Sequence, residues 1–395
     1  MKVLMLTPYL PYPLLTGGQT RSYNLIKRLS SLGHKITLFC LVKSNSERKY
    51  VGELEKFCES VKVFNRPEKP WTIRNIIRTG FSIYPFLVIR NWAKGEKDAI
   101  EKKLIEEKFD LIHAETFYVM PHIPETDIPI LLVEQTIEYL VYRHFADEFK
   151  LPFLKQLLYI DVAKMKHWEL KYWLRAKGVV AMSEEDKTSM LFQLPSLNVD
   201  TVPNGVDNQF FGEKIKPRSK DPVILYLGNF TWLQNREAVE VLVKKIWPKI
   251  KSRVTNCKLW IIGKEAKSFF SNFESKDIRV DEVEDVREVY QKASILVAPL
   301  YGGGGTRYKN FEAFASGLPV VTTSIGIRGT SAKDGKEVII RDTPEAIAQA
   351  AVNLLSDKKL YERIAGNAKK MVEDKYDWDP IAKKLSRIYE ELGKR

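Results

Sequence analysis

One pattern constrains the fold more than any other: an apolar strand, a glycine- or proline-bearing loop, an amphipathic helix and a second strand, and it occurs twice. The first copy reads as a strand over Lys2–Leu6, a loop through Gly17 and Gly18, a helix to about Leu32, a stop at Gly33 and a strand over Lys35–Leu41. The second starts at Asp221, with strand Pro222–Leu227, loop Gly228–Gln234, helix Asn235–Ile250 and strand Lys258–Ile262 running into Gly263. Units of this kind build parallel sheets with helices on both faces. More strands are expected at Leu111–Ala114, Ile130–Glu134, Gly178–Ala181, Ile295–Pro299 and Pro319–Thr322, and helices at Tyr308–Ser316 and Pro344–Ser356. On the first helix Tyr23, Ile26 and Leu29 form the apolar side, with Arg21, Lys27 and Arg28 among the polar positions.

The implied fold class is α/β: two doubly wound, Rossmann-like parallel-sheet domains, joined near Gly212–Pro222 where Lys, Pro, Arg and Ser cluster. With 395 residues the chain can supply two such cores. Helices expected at Phe153–Ala176 and Met371–Leu392 fall outside the alternation, and the last is expected to pack back on the first domain. The expected units are therefore 1–212, 213–378 and a C-terminal helix over 379–395. Sheets of this kind bind ligands beyond the carboxyl ends of their strands, so a site shared by the two domains is expected.

Composition narrows the classes. No apolar run approaches the roughly 18 residues a membrane-spanning helix needs, and Pro8, Pro11 and Pro13 interrupt the start, so a cytoplasmic protein is expected. Cys40, Cys58 and Cys257 form no C-x-x-C and suggest neither disulfides nor zinc. The net charge of +13 invites a nucleic acid, an anionic lipid or a phosphorylated substrate. No nucleic-acid module accompanies it, so no nucleic-acid partner is expected.

The sharpest chemical signal is Ala298-Pro-Leu-Tyr-Gly-Gly-Gly-Gly-Thr-Arg-Tyr-Lys-Asn-Phe-Glu-Ala-Phe-Ala-Ser-Gly-Leu-Pro-Val-Val321. An apolar strand runs into Gly302, Gly303, Gly304 and Gly305, whose backbone N–H groups can approach an anion, and a helix comes at once after them. Arg307 and Lys309 at the helix start sit against the dipole, which suits a ligand anion. Glu312, one turn on, can accept two hydroxyl hydrogen bonds of the kind a ribose offers. The plain alternative is a flexible glycine loop with a surface Lys309–Glu312 ion pair. The spacing is neither G-x-G-x-x-G nor G-x-x-x-x-G-K-[ST].

Together with Val202-Pro-Asn-Gly-Val-Asp207, Thr16-Gly-Gly, Gly33-His34 and Tyr226-Leu-Gly-Asn229, this stretch resembles the family 4 glycosyltransferases of the GT-B fold, over nearly the whole chain. The resemblance implies two facing Rossmann-like domains, a nucleotide-diphosphate sugar held mainly by the second, an acceptor held mainly by the first, and hexosyl transfer with retention and without metal. It implies that Glu312 holds the donor ribose, that Arg307, Lys309, Thr306 and the glycine loop hold the diphosphate, and that Gly17 and Gly18 approach the donor phosphates. Val280 and Val283, in the V-x-x-V-x-D run ending at Asp285, correspond to the segment around the base, and Pro203–Asp207 to the inter-domain turn. Two departures stand out. Gly304 occupies the place of the first of two glutamates eight apart, and Gln135 the place of a histidine near sugar and acceptor. Gln135 can hydrogen-bond a sugar hydroxyl but cannot take a proton at neutral pH; transfer of this type is thought to use the donor phosphate as base.

Weaker features complete the reading. His34, His113, His122, His144 and His167 lack ligand spacing and read as structural or solvent-facing, with a cleft-lining position the alternative for His113 at a strand end. Asp377-Trp-Asp379 reads as a helix start capped by Asp379 before Pro380, not as a metal motif. Over Val61–Lys94 seven Lys and Arg residues face one acid, Glu68, and aromatic residues interleave with them. Such a stretch either lies on an anionic membrane or forms a helix pair with apolar residues inside. The function expected is a cytoplasmic transferase, either in solution or peripheral at the inner face of the membrane, moving a sugar from a UDP-, GDP- or ADP-sugar to a saccharide or lipid-linked acceptor in cell-surface polysaccharide or lipid-linked glycan assembly. The alternatives are an inverting transferase or epimerase, and a sugar-nucleotide-binding protein without transfer.

Overall fold

The computed structural model describes residues 1–69, 71–149, 151–211, 221–283, 285–302 and 306–394. The chain divides into two compact units, Met1–Pro203 with Trp378–Arg395, and Asn204–Asp377. The division falls after Pro203 rather than near 212, because the residues beyond Pro203 already belong to the second unit. The Val206 N–H donates to the Tyr376 carbonyl at 2.8 Å, and the Phe211 ring meets Tyr290 edge-on at 5.9 Å.

The first unit holds seven strands: β1 Lys2–Thr7, β2 Lys35–Val42, β3 Ser60–Asn65, β4 Leu111–Glu115, β5 Ile130–Val133, β6 Gly178–Ala181 and β7 Val199–Thr201. They pair in the order β3-β2-β1-β4-β5-β6-β7, every pair parallel. The second unit holds β8 Val223–Leu227, β9 Lys258–Ile262, β10 Ile278–Asp281, β11 Ile295–Ala298, β12 Val320–Thr322 and β13 Ile339–Ile340. Their order is β10-β9-β8-β11-β12-β13, again parallel throughout. Helices cover both faces of such sheets, so the central strands read as unbroken apolar runs; β1 is buried from Val3 to Thr7.

Seven helices position the functional residues and the main surface feature: α1 Gly17–Ser31, α2 Ile73–Phe81, α3 Pro152–Arg175, α4 Leu233–Val241, α5 Tyr308–Ala315, α6 Lys358–Lys375 and α7 Trp378–Gly393. Thr16 caps α1, its Oγ1 accepting the Gln19 N–H at 3.3 Å, and Gly33 comes after the helix at φ +88°, where a side chain would be strained. Arg21, placed among the polar positions from sequence, is fully buried instead. The expected helix Asn235–Ile250 is interrupted: α4 gives way to a π turn over Leu242–Ile246 before Trp247–Lys251. Pro248 has no N–H with which to continue the ladder, and the wider turn absorbs the break.

The expected helix Met371–Leu392 is likewise two, α6 and α7, parted at Tyr376 and Asp377. Asp379 therefore lies inside the first turn of α7 rather than capping it, and binds Arg28 Nε at 2.6 Å. The α7 helix packs on α1 and β4, burying Trp378, Ile381, Leu385, Tyr389 and Leu392. Each fully buried side chain of this size contributes about 1.5–3 kcal/mol of transfer free energy. The strands β7 and β13 are too short to make a pattern, and β3 and β10 lie at sheet edges, where β3 has no buried side chain and β10 only Ile278 and Val280.

Candidate functional site

In each sheet the strand order reverses once, between β1 and β4 and between β8 and β11, and the loops leaving the strands there open a crevice. In the second unit the residues at this point are Tyr226 on β8, Asn229 and Asn235 just beyond it, and Arg307, Lys309 and Glu312 at and after the start of α5. Lys309 is only 8% exposed. Its Nζ donates to Asn235 Oδ1 at 3.0 Å and Tyr226 Oη at 3.3 Å, and lies 4.3 Å above the Tyr226 ring. Asn235 is held in turn, with Nδ2 on the Asn229 carbonyl at 2.8 Å and Oδ1 accepting from Tyr226 Oη at 3.0 Å. Burial, then the neighbouring Arg307 charge, push the Lys309 amine down to about 7, against the smaller pull of Glu312. Burial also lowers Arg307, whose Nη2 donates to the Gly302 carbonyl at 3.0 Å.

Glu312 accepts the Tyr290 hydroxyl on Oε2 at 2.7 Å, and burial raises its carboxyl despite that bond and the Lys309 charge. The alternative of a surface Lys309–Glu312 pair therefore fails, since Lys309 is inside and turned to Asn235 and Tyr226. Thr306 Oγ1 is buried and has no hydrogen-bond partner among the described residues. The chain of Gly329, at φ +81°, passes so close that a Cβ there would lie 2.7 Å from this oxygen. Gly263 is similarly constrained, for a Cβ would lie 1.8 Å from the Gly228 carbonyl oxygen. Gly303, Gly304 and Gly305 lie outside the described residues.

The expected base segment is corrected in part. Val280 points into the core of the second unit and is 0% exposed, so its side chain cannot meet a ligand. An inward position on this edge strand, whose Arg279 faces outward, leaves only backbone at Val280 to do so. Val283 is exposed, and Asp285 is held by Arg287 through Nε at 2.8 Å.

In the first unit a buried polar chain runs from the start of α1 to α7. Gln135 Nε2 donates to Tyr9 Oη at 2.5 Å and to Glu115 Oε1 at 2.8 Å. Glu115 Oε2 meets His113 Nε2 at 2.7 Å, and His113 Nδ1 meets Tyr389 Oη at 2.5 Å. Arg21 Nε stands 3.6 Å from Glu115 Oε1, while its Nη1 donates to the Pro203 carbonyl at 2.8 Å. Burial alone would raise the Glu115 carboxyl, but the His113 bond and charge, Arg21 and Gln135 outweigh it and hold it below the usual range. Gly17 opens α1, and Gly18 closes on this network: a Cβ there would lie 2.7 Å from Tyr9 Oη and 2.8 Å from Gln135 Oε1. His113 is structural, as expected, and so is His34, whose Nε2 meets Ser386 Oγ on α7 at 2.7 Å.

Sequence reasoning missed Asn235 and Tyr290 in the second unit and Tyr9 and Glu115 in the first. Each stands outside any spacing pattern; the available signal was a polar residue just past an apolar strand, at Tyr9 and Glu115. Among the described residues no group of three His, Cys, Asp or Glu side chains is placed to hold a metal ion, and no helix is long and apolar enough to cross a membrane. Cys40, Cys58 and Cys257 are free and buried.

Comparison with known proteins agrees with this architecture. Residues 15–210 match the family described as Glycosyltransferase Family 4, and residues 221–357 match Glycosyl transferases group 1. An uncharacterised 44.6 kDa protein in the cps region of Klebsiella pneumoniae is 23% identical over 99% of both chains. The phosphatidyl-myo-inositol mannosyltransferase of Mycobacterium tuberculosis H37Rv is 26% identical over 55% of this chain and 60% of its own. Among solved structures, Anabaena HepE in complex with UDP-glucose superposes with a TM-score of 0.66 at 12% identity, covering 99% of this chain and all of its own. The chain belongs to the group 1, family 4 glycosyltransferases and has the GT-B fold.

Proposed function

We propose that the enzyme transfers a hexose, with retention at the anomeric carbon and without a metal ion, from a nucleotide-diphosphate sugar to a saccharide or lipid-linked acceptor in polysaccharide or glycolipid synthesis at the inner face of a membrane. One observation carries the donor part. Lys309 is a buried cation whose hydrogen-bond partners, Asn235 and Tyr226, are neutral, with no carboxylate in ion-pair contact among the described residues. A buried charge balanced only by the weaker pull of Glu312 is costly, and a diphosphate would supply an anion in direct contact.

In this reading Lys309 and Arg307 stabilise the negative charge that grows on the diphosphate as the glycosidic bond breaks. Thr306, whose buried hydroxyl has no partner among the described residues, and the glycine loop add hydrogen bonds to the same group. Glu312, oriented by Tyr290, accepts the ribose hydroxyls. Gly17 and Gly18 are assigned to donor phosphates and Gln135 to a sugar hydroxyl; with no basic atom on Gln135, the acceptor proton passes to the departing phosphate.

The neighbour bound to UDP-glucose makes a UDP-sugar the first donor to try, ahead of GDP- and ADP-sugars. The test is ligand-observed NMR with each donor on wild type and Glu312→Ala, continued until free sugar appears. Binding that Glu312→Ala weakens, with slow release of the retained anomer, is expected. No binding of any donor at millimolar concentration refutes the donor site, and release of the inverted anomer refutes retention.

A further inference from the structure

The α2 helix is built the wrong way out for a helix of a globular core. Its polar Asn75 is 2% exposed, while Ile73 is 78% exposed, Phe81 94%, and Ile76 and Ile77 more than half. At positions 73, 76, 77 and 81 these four residues share one helical face, which is therefore an apolar stripe facing solvent. Trp71 before the helix and Ile83 after it are also mostly exposed and extend the patch.

The stripe is firmly presented. Thr72 Oγ1 caps the helix by accepting the Asn75 N–H at 3.2 Å. From α3, Lys164 Nζ donates to the Thr79 carbonyl at 2.8 Å and the Ser82 carbonyl at 2.7 Å, and Trp168 Nε1 to the Ile83 carbonyl at 2.9 Å. On α3, Ile160 and Leu157 precede Lys164 by four and seven residues, so they fall on the helix face that meets this segment, and both are about half exposed. Asn75 and the half-buried Thr79 face inward while the isoleucines face out, so exposure of the apolar side is a property of the folded unit.

Charge selects the occupant. Between Lys69 and Ile83 the chain carries Lys69, Arg74 and Arg78, all exposed, and no acidic residue. A second copy docking symmetrically would set these cations against their own counterparts. A bilayer with anionic headgroups instead offers acyl chains to the stripe and negative charge to its flanks. We propose that α2, with Trp71 and Ile83, is a membrane-docking face that lies in the headgroup region of an anionic bilayer. This deepens the reading of an enzyme working at a membrane but needs no sugar nucleotide.

The test is co-sedimentation of the full chain with vesicles of phosphatidylcholine alone and with 30 mol % phosphatidylglycerol. Wild type binds the anionic vesicles at least about tenfold better, and high salt weakens the binding. Ile77→Ser with Phe81→Ser lowers that binding by about tenfold or more, with thermal melting and UDP-sugar binding unchanged because both side chains are solvent-facing. Wild type remaining unbound, or the double variant binding as well as wild type, overturns the proposal. So does a concentration-dependent dimer on size exclusion that the double variant dissolves. Loss of vesicle binding with donor binding intact, or the reverse, separates failure here from failure of the donor site.

Discussion

Lys309 offers the most demanding test of the donor site, because its titration should couple to binding. In the free protein its amine titrates near 7, against an ordinary 10.5, through burial and then Arg307. That gap corresponds to about 5 kcal/mol of preference for the neutral form. A bound diphosphate reverses the preference, so binding at pH 8 takes up about 0.9 proton, and affinity falls roughly 25-fold between pH 6.5 and 8.5. The ligand should be a UDP-sugar rather than UDP, whose terminal phosphate titrates near this window. Isothermal titration calorimetry in two buffers of different ionisation enthalpy measures the uptake directly. Glu312, raised by burial, would act with the opposite sign, since ribose hydroxyls favour the carboxylate and release a proton. A flat affinity profile with no uptake, or an unchanged profile in Lys309→Met, would refute the assignment. Stability without ligand obeys the same logic. The unfolded chain holds the Lys309 proton up to about 10.5 and the folded chain only to about 7, so this residue makes stability rise with pH between those values. Lys309→Met is therefore expected to stabilise the free enzyme at pH 6.5, by less than about 5 kcal/mol because hydrogen bonds to Asn235 and Tyr226 are lost.

Three further outcomes are expected. Arg307→Ala lowers turnover more than about tenfold with the fold intact, as for loss of a leaving-group stabiliser; steady-state kinetics near wild type would remove its phosphate role. Gly18→Ala forces Tyr9 and Gln135 apart and costs about 1–3 kcal/mol as overpacking, read by denaturant unfolding, and an unperturbed variant would show that the loop has slack. Tyr389→Phe removes the hydroxyl from His113 and lowers stability by about 0.5–1.5 kcal/mol, and no change would mean that this link of the buried chain contributes nothing.

Much of the candidate donor site was legible because its residues are local in the chain. Arg307, Lys309 and Glu312 sit within six residues of one another, after a strand and a glycine run, and helix geometry alone puts them on neighbouring turns. What holds them was not legible. Asn235 is 74 residues from Lys309, and Tyr290 is 22 from Glu312; their contacts arise from parallel strand order, which no spacing encodes. Val280 illustrates the converse: a motif match placed it at the base, yet its strand turns the side chain into the core. Arg21 looked like a solvated position on an amphipathic helix and is buried beside Glu115, because α7 returns from the far end of the chain to cover that face.

By itself, then, the sequence determined the repeated strand–helix alternation, the α/β class and the local grouping of Arg307, Lys309 and Glu312 after a glycine run, since hydrophobic period, glycine placement and caps act over a few residues. Tertiary structure alone decided that Lys309 is buried among neutral partners and that Gln135 is clamped by Tyr9 and Glu115. It also decided that the apolar side of α2 faces outward. Burial, and with it the proton affinity of a lysine or the exposure of an isoleucine, depends on what distant segments bring alongside, and that is known only once the sheets have formed.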